Sequence, residues 1–121
     1  MSNSYKELIQ HLNPPLGAFR KESAEVMTGF DAMSKAAMTA GVISALDKEL
    51  MATAIAVSTR CAGCIAYHVR ALVRLGATRE QVNEMLSVAV YMGGGPSLMY
   101  AAEALGAFEE LSAKLPAPAA V

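Results

Sequence analysis

At 121 residues the chain is shorter than one usual domain allotment, which argues against a multi-domain enzyme and makes a single helical domain over residues 1–115 the expectation. Hydrophobic residues make up 54% and charged residues 17%, below the roughly 25% charged share of ordinary soluble domains, so the chain is not of disordered composition. A net charge of −1 gives no electrostatic reason for nucleic acid or an anionic membrane as partner.

Apolar residues recur at three- and four-residue spacing and no run alternates strictly, so the expected fold is all-α, with about six helices. Ser4 with Glu7 makes a capping-box start for a short first helix, which should stop before Asn13-Pro14-Pro15 because a residue preceding proline is pushed out of helical geometry. Pro15 then opens a second helix to about Ala40, ended by a left-handed Gly41, with Phe19, Val26, Phe30, Met33 and Ala37 as its apolar stripe. Ser44 caps a third helix carrying Leu46, Leu50, Ala54 and Val57. Ser58-Thr59 marks a break, and a fourth helix begins near Cys61 and ends at Gly76. Thr78 and Gln81 form a capping box for a fifth, which reaches Gly93-Gly94-Gly95-Pro96; a sixth runs from Pro96 to about Ala113. Residues 116–121 are Pro/Ala-rich and expected to be an extended or mobile tail.

A lone domain of this size buries only about two thirds of its unfolded surface, and this one has few charges with which to coat the remainder. A homo-oligomer is therefore expected. The polar start lacks the apolar core of a secretory signal, so a cytoplasmic location is expected. The uncharged run from Met85 to Ala102 is cut in its middle by the glycines and Pro96, which argues against a membrane span.

The chemistry concentrates in Cys61-Ala-Gly-Cys64-Ile-Ala-Tyr-His68. A bridge between residues three apart closes too small a loop to staple the chain, which leaves redox chemistry or a metal. A closed zinc site would need four ligands, and Cys61, Cys64, His68 and the remote His11 are the candidates. His68 follows Cys64 by four residues, so on a helix the two share a face, one turn apart, where the imidazole can take the thiol proton. A cysteine in the first turn also meets unpaired N–H groups and the positive end of the helix dipole, which favour the thiolate. A catalytic imidazole needs a group to orient it. With the chain folding back at residues 58–60, Glu49 and His68 reach similar heights on adjacent helices, whereas one straight helix would hold them about 28 Å apart.

Glu49, eleven intervening residues, then Cys61-x-x-Cys64-x-x-x-His68 resembles the signature of the AhpD-like alkylhydroperoxidases within the carboxymuconolactone decarboxylase superfamily, and Tyr91 to Ala102 is similar to that family's Gly-Gly-x-Pro helix junction. The resemblance implies an all-helical subunit in a homo-trimer or homo-hexamer. It implies a thiol relay that reduces hydroperoxides or exchanges with a protein disulfide, such as that of a peroxiredoxin or lipoyl protein, with no bound cofactor and an external lipoyl-type dithiol as reductant. Carried over, Cys64 is the attacking thiolate, Cys61 the more exposed partner that closes the disulfide, His68 the base and Glu49 its orienting acid. In thioredoxin-like sites the first cysteine attacks, and for exchange with a protein disulfide Cys61 is the expected nucleophile. Gly63 stands where the best-known members have a histidine, and those members carry a second helical stretch. A decarboxylase-like lyase of the same superfamily and a non-catalytic zinc or binding module are the alternatives. Beside the signature, Tyr67, Arg60 and Arg70 flank the site, and Arg20 to Glu25 reads as a solvated helical face.

Overall fold

A computed structural model describes residues 4–113; the Pro/Ala-rich segment 116–121 lies outside them. Six helices and no strand occur among the described residues, in the order α1 Tyr5–Glu22, α2 Ala24–Met38, α3 Ala45–Ser58, α4 Ala62–Arg74, α5 Arg79–Gly93 and α6 Gly95–Ser112.

Ser4 caps α1 as expected, its Oγ accepting the Glu7 N–H at 3.1 Å. The stop before Asn13-Pro14-Pro15 does not occur: α1 continues through both prolines and breaks at Ser23. The prolines remove the donors for the Gln10 and His11 carbonyls, but both residues are exposed, so water can satisfy the acceptors. The left-handed end expected at Gly41 is also absent. Instead α2 stops at Met38, where the Thr39 hydroxyl donates to the Lys35 carbonyl (2.6 Å) and Lys48 Nζ, reaching over from α3, donates to the carbonyls of Ala37 and Thr39 at 2.8 Å each. A cation at a helix C-terminus satisfies orphan carbonyls and the dipole together.

The remaining caps follow the expectation. Ser44 accepts the Asp47 N–H at 3.0 Å, and Thr78 with Gln81 closes a reciprocal capping box. The α5–α6 corner turns at Gly94, whose φ is 72°, and Gly93 lies so near α6 that a Cβ there would meet Ser97 Oγ at 1.9 Å.

Helices α3 to α6 enclose the core, in which Val57, Ile65, Val69 and Leu72 are fully buried, joined by Val82 and Ala104. Helix α1 lies across α4 and α6. Its start is clamped by Glu110 of α6, whose carboxylate accepts the Ser4 hydroxyl, the Tyr5 N–H (2.8 Å) and the Lys6 N–H (3.4 Å). Burial pulls the Glu110 carboxyl upward, but these donors outweigh it and hold the group below its ordinary value. Burial, followed by the hydrogen bond from its hydroxyl to Glu103 (2.5 Å), pushes the Tyr5 phenol above its ordinary value.

Helix α2 buries no residue and touches only α1 and α3. The stripe read as one helix face is split, with Phe19 on α1 and Val26, Phe30 and Met33 on α2, and each of these is more than half exposed. Tyr91 and Met92 at the end of α5 are 84% and 74% exposed. No helix among the described residues is long and apolar enough to cross a membrane.

Candidate active site

The corner between α3 and α4 is built around Cys61. Helix α3 ends in a left-handed turn in which the Arg60 N–H donates to the Val57 carbonyl (3.2 Å) and the Cys61 N–H to the Ala56 carbonyl (3.1 Å). The left-handed position, usually glycine, is filled by Arg60 at φ 57°. The next residue opens α4: Cys61 Sγ accepts the Cys64 N–H at 3.1 Å and the Cys61 carbonyl accepts the Ile65 N–H at 2.9 Å. Cys61 is thus tied to two helices at once, and Cys64 sits in the first turn of α4.

The two cysteines are bonded to each other, with their Cα atoms 5.2 Å apart. Cys61 is half-buried and Cys64 exposed, the reverse of the exposure that the resemblance implies. The reason lies in the corner itself, since the cap position is drawn inward by its bonds to both helices, while Cys64 turns outward on the helix surface.

His68 stands one turn beyond Cys64 on α4, and its Nδ1 lies 2.7 Å from Oε1 of Glu49 on α3. The fold-back expected at residues 58–60 therefore brings the carboxylate and the imidazole together across the α3–α4 pair. The Glu49 side chain is 15% exposed and that of His68 36%, so the acid is sheltered and the ring reaches solvent. Donation from Nδ1–H to Glu49 leaves Nε2 as the ring nitrogen free for proton traffic.

Beside the cysteines, α1, α2 and α4 enclose a groove of about 730 Å³ into which both Cys61 and Cys64 open. Leu12 covers Gly63, and a Cβ at that glycine would approach Leu12 Cδ1 to 3.2 Å. A side chain between the cysteines would require this leucine tip to give by a few tenths of an ångström. The Tyr67 hydroxyl donates to Asn13 Oδ1 (2.5 Å), and the Arg70 guanidinium lies over the Tyr67 ring, 4.9 Å from its centre. Leu12 and Asn13 are the site residues that sequence reasoning missed; their only signal was the Asn-Pro-Pro run, which reads as a helix stop. His11 lines a separate hollow with Ser4, Glu7 and Glu103. No group of three or more His, Cys, Asp or Glu residues is gathered for a metal among the described residues.

The sequence model of the carboxymuconolactone decarboxylase family matches residues 24–107. The chain belongs to this family. The match spans α2 to α6 and includes Glu49, both cysteines and His68, and it bears out the resemblance to the AhpD-like superfamily. A crystal structure of an apo carboxymuconolactone decarboxylase family protein from Legionella pneumophila is similar at 51% identity and a TM-score of 0.90, covering 93% of this chain and all of that one. An uncharacterised protein from Cupriavidus necator is 38% identical over 113 residues, 93% of this chain and its own whole length. An uncharacterised protein of the cox locus of Paracoccus denitrificans is 35% identical over 96 residues, 79% of this chain and 86% of that protein. The all-helical architecture is thus the family's own.

Proposed function

We propose that this family member is a thiol-dependent oxidoreductase that reduces hydroperoxides, or exchanges electrons with a protein disulfide, through Cys64, Cys61, His68 and Glu49. One observation carries the reading: the Cys61–Cys64 pair lies at the start of a helix whose next turn bears an imidazole held by a sheltered carboxylate. A decarboxylase-like reading has no observation that uses the sulfur pair.

In the reduced protein, His68 Nε2 takes the Cys64 thiol proton, and Glu49 stabilises the charged ring. The Cys64 thiolate attacks the terminal oxygen of the hydroperoxide. The O–O bond breaks, an S–O bond forms, and the departing alkoxide leaves as an alcohol with the proton from His68. Cys61 then attacks the Cys64 sulfenic acid, the S–O bond breaks, water departs and the disulfide closes. An external dithiol, of the lipoyl type or similar, returns the two electrons and itself becomes a disulfide. The exposure of Cys64 makes it the sulfur an outside thiolate reaches, and the Cys64 N–H directed at Cys61 Sγ stabilises Cys61 as the leaving thiolate.

The test is steady-state reduction of tert-butyl hydroperoxide by dihydrolipoamide. Cys64→Ser is expected to abolish turnover. Cys61→Ser is expected to retain a single turnover and accumulate a sulfenic acid that dimedone traps. His68→Ala should cost about 10²-fold in kcat/KM, the usual worth of a positioned base. Full turnover by Cys64→Ser would end the proposal.

A further inference from the structure

Resting on the function just proposed, we infer that the groove beside the disulfide is a substrate site for elongated, apolar hydroperoxides that carry a carboxylate, and that Arg70 is the residue that selects the anion.

The groove joins the redox centre to a cationic rim. Cys61 and Cys64 occupy the start of α4, Tyr67 the next turn and Arg70 the one after, so Cys64 and Arg70 are separated by about 9 Å along the helix axis. Its walls are largely apolar, with Leu16, Phe19 and Phe30 from α1 and α2 facing the cysteine side of α4. Its volume of about 730 Å³ falls within the range of roughly 300–1,000 Å³ in which small molecules bind. Hydrogen peroxide gains nothing from such walls, whereas an alkyl chain does.

Two arginines line the groove, and they differ. Arg20 is paired with Asp31 at 2.8 Å. Arg70 has no carboxylate partner among the described residues, and its guanidinium lies over the Tyr67 ring, which Asn13 fixes through its hydroxyl. A cation–π contact uses none of the guanidinium's N–H groups as hydrogen bonds to a carboxylate, so they can take one bidentately. A ligand with a hydroperoxide at one end of a span of about 9 Å and a carboxylate at the other would place its O–O bond at Cys64 while its chain lies on the apolar wall. The reaction is the one above: hydroperoxide and dithiol give alcohol, water and disulfide.

The experiment compares the 9-hydroperoxide of linoleic acid, whose carboxylate and hydroperoxide carbons are joined by a saturated chain that matches the span, with its methyl ester, both below their micellar concentrations, and with tert-butyl hydroperoxide as the short uncharged control. In the wild type kcat/KM is expected to favour the acid over the ester by about tenfold, the worth of one charge-assisted bidentate contact. Arg70→Gln should erase that preference, so that acid and ester are reduced with equal kcat/KM. Linoleic acid itself, titrated calorimetrically into the oxidised protein, should bind the wild type and lose about tenfold in affinity in Arg70→Gln. Equal efficiency for acid and ester, or a preference that survives Arg70→Gln, overturns the inference while the peroxidase reading stands. Absence of turnover with all three hydroperoxides sinks that reading first. If Phe30→Asp dissociates an oligomer and leaves selectivity intact, the groove is a seat for a second copy and the inference is wrong.

Discussion

Glu49 shows what one residue contributes to the site. Its carboxylate is mostly sheltered, and in the proposed relay its hydrogen bond to His68 Nδ1 leaves Nε2 to serve Cys64. Glu49→Gln keeps the shape but removes the charge, and the amide can turn its NH₂ toward the ring and stabilise the other tautomer. The expected cost is about tenfold in peroxide kcat/KM, the size of one charge-assisted hydrogen bond, with little change in Tm. Glu49→Asp, which restores charge but shortens the reach, should recover only part of it. Arg60 makes the opposite case, a residue whose backbone is held at φ 57° for the sake of the corner. A non-glycine residue there carries a penalty of roughly 1 kcal/mol, so Arg60→Gly is expected to raise stability by up to that amount, read from the urea midpoint. The two residues differ in legibility. Glu49 could be paired with His68 by counting turns on either side of a break. Arg60 could not be identified as the left-handed position, because Ser58-Thr59 is the stronger local signal and the turn is fixed by bonds from the Arg60 and Cys61 N–H groups to the Val57 and Ala56 carbonyls.

Among the elements, α3 to α6 were readable because their ends carry local signals: the Ser44 cap, the Thr78–Gln81 box and the glycines that turn the chain before Pro96. The end of α1 and the bounds of α2 were not, since they depend on groups distant in sequence. Lys48 ends α2, and the Asn13–Tyr67 contact fastens the proline segment to α4. The start of α1 also responds to pH in two directions. The Glu110 carboxyl is held below its ordinary value, so its contribution is present above the unfolded value of 4.5 and is lost as pH falls through the lower folded value. The Tyr5 phenol is raised, so its contribution is complete below the unfolded value of 10.0 and is lost as pH rises beyond it. Hydrogen exchange of the α1 amides should accordingly show weakened protection, beyond the intrinsic pH dependence of exchange, at both extremes. Tyr5→Phe should remove the alkaline loss and leave the acid one. An alkaline loss that persists in Tyr5→Phe would assign it to another group.

At the scale of the whole molecule, the composition and the surface make the same point. The chain has few charges, and the apolar side chains that a monomer would keep in water include, away from the groove, Tyr91 and Met92 at the end of α5 with Leu98 and Met99 on α6. Removing such area from water is worth about 25 cal/mol per Å², so a patch built from several of these side chains can hold subunits together. We propose that the protein is a homo-trimer or homo-hexamer and that the α5–α6 region forms one of its contacts. Tyr91 is 84% exposed and outside the buried core, so Tyr91→Asp is expected to leave the helical circular dichroism intact. Burying a new carboxylate in an interface without a partner is costly, and sedimentation velocity at micromolar concentration should show the variant in smaller species than the wild type. A wild type that sediments as a monomer would refute the assembly, and a Tyr91→Asp variant that keeps the wild-type size would move the contact away from the α5–α6 corner.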